Sequence, residues 1–402
     1  MNAPDAEVLV VGGGPAGAAT AALLARSGRD VMLLEKGAFP REKPCGEYYS
    51  PGVVDALGRL GALEAVAAEE HAWLVGMRVG TRRAGFLLSY PDGDRDRKAL
   101  GIRRHVLDRV LLEQARACGV RVREDVRVLG AEVEGDRVVG VRARRAGHGR
   151  EGVEILRSRF VVAADGRRSA ISRSLGLDAP VRWPRRLGLA THYAGEFGEL
   201  GPFGEMHVGR GLYCGLGPVG GGLVSVGFVG ALGAKPAREP TERFFERKLT
   251  ELPGAARALG GAERVDRVRG IGPMARKVRR VAGAGYLLVG DAAGFFDPFT
   301  GEGVSRALRG AELAAEAVER ALGRGDGLPE GYEGARQAAF ADKERLVRLI
   351  QLAIGSPRFF GYVADHLDTR TRRAVTMKAV LGDYRPAAEA LRPSYLWSLL
   401  RP

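Results

Sequence analysis

Glycines at positions 12, 14 and 17, set directly after the apolar run 7–11 (EVLVV), constrain this chain more than any other feature. The run predicts a short buried strand, and the Ala- and Leu-rich residues 18–26 predict a helix that ends at Gly28. A second apolar strand follows at 31–34 and closes on Glu35. Gly12 allows the tight turn out of the strand. Gly14 removes a side chain that would block a pyrophosphate, and Gly17 lets helix and strand pack closely. Pro15 and Ala16 open the helix, whose free N–H groups and positive dipole end suit phosphates. Glu35 stands where a carboxylate accepts ribose hydroxyls and repels a 2′-phosphate. NADP is therefore disfavoured as the resident dinucleotide, but the motif alone does not separate FAD from NAD.

Two later segments narrow the choice. Residues 158–175 read SRFVVAADGRRSAISRSL, an apolar strand running into Asp165-Gly166 and then a helix. Residues 286–289 form another apolar strand that ends at Gly290-Asp291. A loop with Pro298 and Gly301-Glu302-Gly303 then leads into a long Ala-rich helix. A fourth element is Arg103-Arg104, followed by Leu107-Asp108-Arg109 and a helix to Gly119. In this order the segments resemble the signatures of the FAD-dependent monooxygenase and geranylgeranyl-reductase superfamily, whose fold is similar to p-hydroxybenzoate hydroxylase. The resemblance spans most of residues 5–325 and fades in the final 75 or so.

The resemblance implies an α/β fold. A Rossmann-like FAD-binding domain (1–75, 100–180 and 276–328) is interleaved with an α+β substrate domain built on an antiparallel sheet (76–99 and 181–275). A helical C-terminal region (329–402) completes the chain. It implies FAD as cofactor, with Asp291 at the ribityl hydroxyls and Arg104, or Arg103 in its place, touching the flavin. Gly301 and Gly303 would begin a helix aimed at the ring, where a positive dipole end stabilises negative charge. Pro298 would border the ring, as a cofactor contact and a candidate catalytic-site residue. Lys36, beside Glu35, and Gly166 and Gly290 complete the cofactor candidates of these motifs.

Residues 40–52 (PREKPCGEYYSPG) are similar to a bacterial subgroup of the same superfamily, in which this stretch passes beside the flavin. Arg41 is a candidate for the pyrophosphate or a substrate anion. Cys45 and Gly46 are candidate cofactor contacts, with Cys45 as a buried small hydrophobe the other reading. Glu47 is a candidate to orient a substrate or relay protons. In the strand-like middle, alternation puts Glu205 and His207 on one face. That face is either a cavity wall, making His207 a candidate base, or a solvent face. Halogenases of the superfamily carry Trp-x-Trp-x-Ile-Pro where this chain reads Tyr213-Cys214-Gly215-Leu216-Gly217-Pro218. Chlorination is therefore disfavoured, and Gly215 and Gly217 leave room for a bulky substrate.

The first functional reading is a monooxygenase that hydroxylates or epoxidises a small hydrophobic or aromatic metabolite through a flavin C4a-hydroperoxide, in secondary metabolism. The alternative is a reductase of prenyl or polyene C=C bonds. A halogenase and a non-catalytic flavin carrier stand behind both. No second GxGxxG comes after the first, so NAD(P)H visits transiently or a partner flavin reductase supplies electrons. Lys and Arg number 62 against 48 Asp and Glu, a net charge of +14, but the basic residues are spread along the chain. Nucleic acid is not an expected partner. Cys45, Cys118 and Cys214 make neither a disulfide framework nor a metal set, which fits a cytoplasmic setting. The C-terminal helices are expected to pack on the body, with a peripheral membrane or lipid contact as the sharper option.

Overall fold

The computed structural model describes residues 3–400 apart from 83, 91–96, 146, 148–151, 198–199 and 368–371, so parts of the expected regions 76–99 and 329–402 lie outside the described residues. Among the described residues, two eight-stranded sheets organise the chain. In the first, strands Arg121–Arg123, Val31–Leu34, Ala6–Val11, Val153–Ala163 and Tyr286–Leu288 lie side by side and parallel. Val8 pairs with Val31 on one side and Phe160 on the other, and all three are buried. Such near-continuous apolar strands belong to a parallel sheet covered on both faces. An antiparallel hairpin, Val126–Glu134 and Arg137–Arg145, extends it from the Val153–Ala163 strand.

The glycine motif works here as its spacing requires. Gly12 turns at φ 101°, outside the range open to other residues. A Cβ on Gly17 would lie 1.8 Å from the Gly12 carbonyl oxygen, so only glycine lets the Pro15–Arg26 helix approach the strand. That helix packs against the Glu302–Arg324 helix, which starts at the far end of the same site.

The second sheet is mostly antiparallel. It runs through Arg186–Ala194, Leu223–Ala231, Leu212–Gly220 and Phe203–Gly209, then Gly76–Gly80 and Gly85–Ser89. Its two faces have different work. Cys214, Leu216 and Phe228 pack under the helices Thr241–Thr250 and Pro253–Leu259. Val208, Tyr213 and Val229 turn the other way, toward Phe299 and Met274. A cavity opens between that second face and the parallel sheet.

Helices Tyr332–Ile354, Pro357–Asp365, Arg372–Leu381 and Pro393–Leu400 contribute Ile354, Phe360, Met377 and Leu399 to the same core. A buried charge clamp fixes them. Lys343 Nζ donates to Asp383 Oδ1 at 2.6 Å, and Ser50 Oγ donates to Asp383 Oδ2 at 2.7 Å. Burial alone would push the Lys343 ammonium down, but Asp383 and Glu302 outweigh it and raise it. No helix among the described residues is long and apolar enough to cross a membrane.

Candidate active site

The cavity lies where the carboxyl ends of the parallel strands meet the second sheet, the usual place for a ligand in an open α/β sheet. It encloses about 1690 Å³ of empty space, its open mouth included.

At one end stands the glycine turn. Glu35 is buried, and its Oε2 accepts from the Gly13 N–H at 2.7 Å. Gly14, Pro15 and Ala16 line the cavity, while Gly12 and Gly17 lie behind them as spacing elements. Lys36 is exposed and stands outside the lining. Arg41 reaches over this turn, with Nη2 3.4 Å from Glu35 and Nη1 3.5 Å from Asp108 Oδ2.

Several observations fit a flavin dinucleotide here. A Cβ at Gly14 would meet only Arg41 Nη2, at 3.7 Å, so that face is open for a phosphate. Among the described residues Arg41 Nε and Asp165 Oδ1 are buried without a hydrogen-bond partner. Asp165 Oδ2 accepts from Ala170 N at 2.7 Å, and burial raises its carboxyl. Gly166, Gly290 and Asp291 line the next stretch. Lys43 Nζ lies 3.7 Å from Asp291 Oδ2, and burial, then Arg104, lower the Lys43 ammonium. Pro298, Gly301 and Gly303 come next, with Gly301 capping the Glu302–Arg324 helix at φ 70°. Gly303 and Val304 of that first turn line the cavity, and the first N–H groups of a helix have no partner within it. Glu302 turns away from the cavity, toward Lys343 at 3.9 Å.

The sequence left Arg103 and Arg104 open, and burial separates them. Arg104 lines the cavity at 5% exposure, its Nε donating to Asp108 Oδ1 at 2.6 Å. Arg103 points to Glu70 at 3.8 Å instead. Cys45, Gly46 and Glu47 also line the cavity, and Glu47 N lies 3.4 Å from Cys45 Sγ. Glu47 takes an unusual backbone φ of 53° and is 3% exposed. Its Oε1 accepts from the Arg104 N–H at 2.7 Å, and its Oε2 lies 2.6 Å from His192 Nε2. His192 Nδ1 lies 2.7 Å from Asp266 Oδ2. Burial lowers the His192 imidazolium, but Glu47 and then Asp266 outweigh it, so its net shift is upward.

His192 and Asp266 escaped the sequence reading. The motif around Glu47 signals the loop, but nothing local signals a partner 145 residues away. The face shared by Glu205 and His207 is split: Glu205 lines the cavity, and His207, the other candidate base, does not. It pairs with Cys214, whose side chain faces the helices, and its ring lies against Gly254. His207 Nε2 binds Glu205 Oε2 at 2.8 Å, and His207 is not among the cavity-lining residues.

Away from this polar end the walls are mostly apolar, with Glu205 and the hydrogen-bonded pair Tyr48 and Tyr90 among the polar side chains that remain. Met77, Val79 and Leu88 come from the sheet edge, Ile271 from the short strand Arg269–Ile271, Met274 from the loop after it, and Leu381 from the C-terminal helices. Gly215 and Gly227 leave the floor without side chains. Tyr213 Oη donates to Asp297 Oδ1 at 2.7 Å beside this wall. Burial raises the Asp297 carboxyl to about 6. Below about pH 4 this carboxyl is protonated in native and unfolded chains alike. Between about 4 and 6 only the native form keeps the proton, so stability falls as pH rises through that window, by about 3 kcal/mol. Urea melts at pH 4 and pH 7 should show Asp297→Asn lacking this component. An identical pH slope in wild type and variant would contradict it.

The sequence profile of the FAD binding domain family matches residues 5–343. A menaquinone reductase of Mycobacterium tuberculosis is 31% identical over 84% of this chain and 85% of its own. A digeranylgeranylglycerophospholipid reductase of Methanosarcina acetivorans is 30% identical over 81% of this chain and 79% of its own. The flavin-dependent brominase Bmp2 shares the fold at a TM-score of 0.83, with 21% identity over 98% of this chain and 100% of its own.

Proposed function

The chain belongs to the FAD binding domain family of flavin-dependent oxidoreductases, and from that premise we propose that it is a reductase that saturates a C=C bond in a long apolar chain of prenyl type. The observation that carries this reading is the cavity, which is polar around Lys43, Glu47, Arg104 and Asp291 and lined mostly by apolar side chains from there to Leu381, with Glu205 a further carboxyl in its wall. Two relatives named as reductases of a menaquinone and of a digeranylgeranyl lipid support it.

When bound, FAD supplies the hydride equivalent, and NAD(P)H or a partner reductase replenishes it. The residues do the rest. Gly14, Arg41 and Glu35 hold the dinucleotide end. Asp291 and the first turn of the Glu302–Arg324 helix hold the flavin end, where backbone N–H groups favour the anionic reduced state. The apolar walls align the substrate and exclude water, which strengthens the charges at the polar end. Glu47 stands at that polar end as the group able to exchange a proton with the substrate.

The test is a single-turnover experiment on FAD-loaded protein. Flavin reduced without oxygen is mixed with geranylgeraniol, still without oxygen. Flavin reoxidation with formation of a saturated product is the expected result. No reoxidation until oxygen is admitted, with ¹⁸O from labelled oxygen appearing in the product, would overturn the proposal in favour of monooxygenation.

A further inference from the structure

We propose that Glu47, His192 and Asp266 form a proton path from solvent to the apolar cavity, in which His192 and Asp266 are positioning residues that reload Glu47. This rests on the reductase reading and adds to it the source of the second hydrogen.

Saturating a C=C bond breaks its π pair. One carbon takes a hydride, two electrons with one proton, from reduced FAD. The other carbon needs a bare proton, and apolar walls supply none. Glu47 is the carboxyl group in the lining beside Arg104 and Cys45. It gives that proton and becomes a carboxylate; Asp266 then passes a proton from water to His192, and the imidazolium so formed returns one to Glu47. The charge of the chain is restored after each turnover, and the electrons come from FAD, itself reduced by a nicotinamide nucleotide or a partner protein.

The geometry suits this traffic. Both ring nitrogens of His192 lie within 2.7 Å of a carboxylate oxygen. A neutral imidazole donates from one nitrogen only. Two carboxylate partners are therefore both satisfied either by an imidazolium or by one protonated carboxyl. These two states differ by a shift of one proton along the Glu47–His192 hydrogen bond. The three side chains are not a metal site, since the carboxylates bind opposite edges of the ring.

Burial falls along the path in one direction only. Side-chain exposure is 3% at Glu47, 8% at His192 and 37% at Asp266. At the solvent end Arg269 lies 4.0 Å from Asp266 and 3.9 Å from Glu42, while Arg264 binds the Asp266 carbonyl. Thr191 Oγ1 holds the same carbonyl at 2.9 Å, which fixes the Asp266 turn against the strand that carries His192. At the inner end the Arg104 N–H holds Glu47 Oε1. The backbone of Glu47, in a region that a non-glycine residue rarely adopts, aims the carboxylate between these partners.

The experiment uses FAD-loaded wild type and Asp266→Asn, a change at a half-exposed position. NMR of the histidine ring protons tracks His192 protonation, and His192→Gln assigns the signal. Asp266→Asn should lower the His192 midpoint by about one pH unit, as expected for the loss of an adjacent carboxylate. The anaerobic single turnover with geranylgeraniol should slow by about 10- to 100-fold with substrate affinity unchanged, and its solvent deuterium isotope effect should rise. A His192 midpoint that does not move, or a variant with wild-type rate and isotope effect, overturns the path. Wild type that never reduces the alkene overturns the reductase reading instead, and the NMR midpoint then decides the proton path alone.

Discussion

Gly14→Val is expected to leave the chain folded and strip it of FAD. The backbone at Gly14 sits at φ −74° and ψ −179°, which valine adopts freely. Its Cβ meets no part of the protein within 4 Å except the flexible end of Arg41. The added carbons fill the space where a phosphate would approach the N-terminus of the Pro15–Arg26 helix. Losing two charge-assisted hydrogen bonds at about 1.5–3 kcal/mol each removes roughly 3–6 kcal/mol, a fall in affinity of about 140- to 20,000-fold. Flavin absorbance after purification measures the loss, and far-UV circular dichroism measures the fold. Gly17→Ala is the contrast, because its Cβ would strike the Gly12 carbonyl and disturb the fold itself. A Gly14→Val protein that stays yellow at the wild-type flavin ratio would show that the dinucleotide does not lie along this turn.

Gly215→Phe should have the opposite profile, with FAD retained and the substrate excluded. A side chain at Gly215 meets the Met206 methyl at 3.3 Å, and methionine can yield. The ring then projects from the face shared with Tyr213 into the apolar part of the cavity. Overpacking a filled apolar site costs about 1–3 kcal/mol. If that strain falls on the bound chain, affinity for a long prenyl substrate drops roughly 5- to 150-fold. Titration of oxidised holoprotein with geranylgeraniol, monitored by flavin absorbance, reads the change. Unchanged affinity at full flavin content would place the substrate elsewhere.

The two variants divide along a line that also separates what the sequence discloses from what it conceals. The dinucleotide end is written in short segments. Gly12, Gly14 and Gly17 act within one turn, and Glu35 closes on Gly13 across adjacent parallel strands. Asp165-Gly166 and Gly290-Asp291 each come directly after a strand of the same sheet. Such units carry their geometry with them, so motif order is enough to find them. The reacting end is assembled from distant pieces. His192 meets Glu47 because the Arg186–Ala194 strand takes a particular place in the second sheet, and Asp266 meets His192 through the segment that folds back beside that strand. No local pattern encodes such a meeting. His207 shows the same limit from the other side. Period-2 alternation puts it on one face with Glu205, but only the packing of the Pro253–Leu259 helix decides which face that is. Leu381 carries no sequence signal for a related reason. It lies where family resemblance fades, and only the tertiary fold brings it to the cavity.

The clamp of Lys343, Asp383 and Ser50 has a consequence for how such a chain changes over generations. The matched family region ends at residue 343, the lysine that anchors the C-terminal helices. Beyond it the polypeptide adds Leu381 to the cavity wall and nothing to the dinucleotide cradle. Lengthening, shortening or exchanging this end remodels what the enzyme can accept without altering how it holds its coenzyme. The stretch after Lys343, joined to the body through this clamp and its share of the apolar core, therefore behaves as an exchangeable fitting on which new specificities can be tried while the redox half is inherited intact.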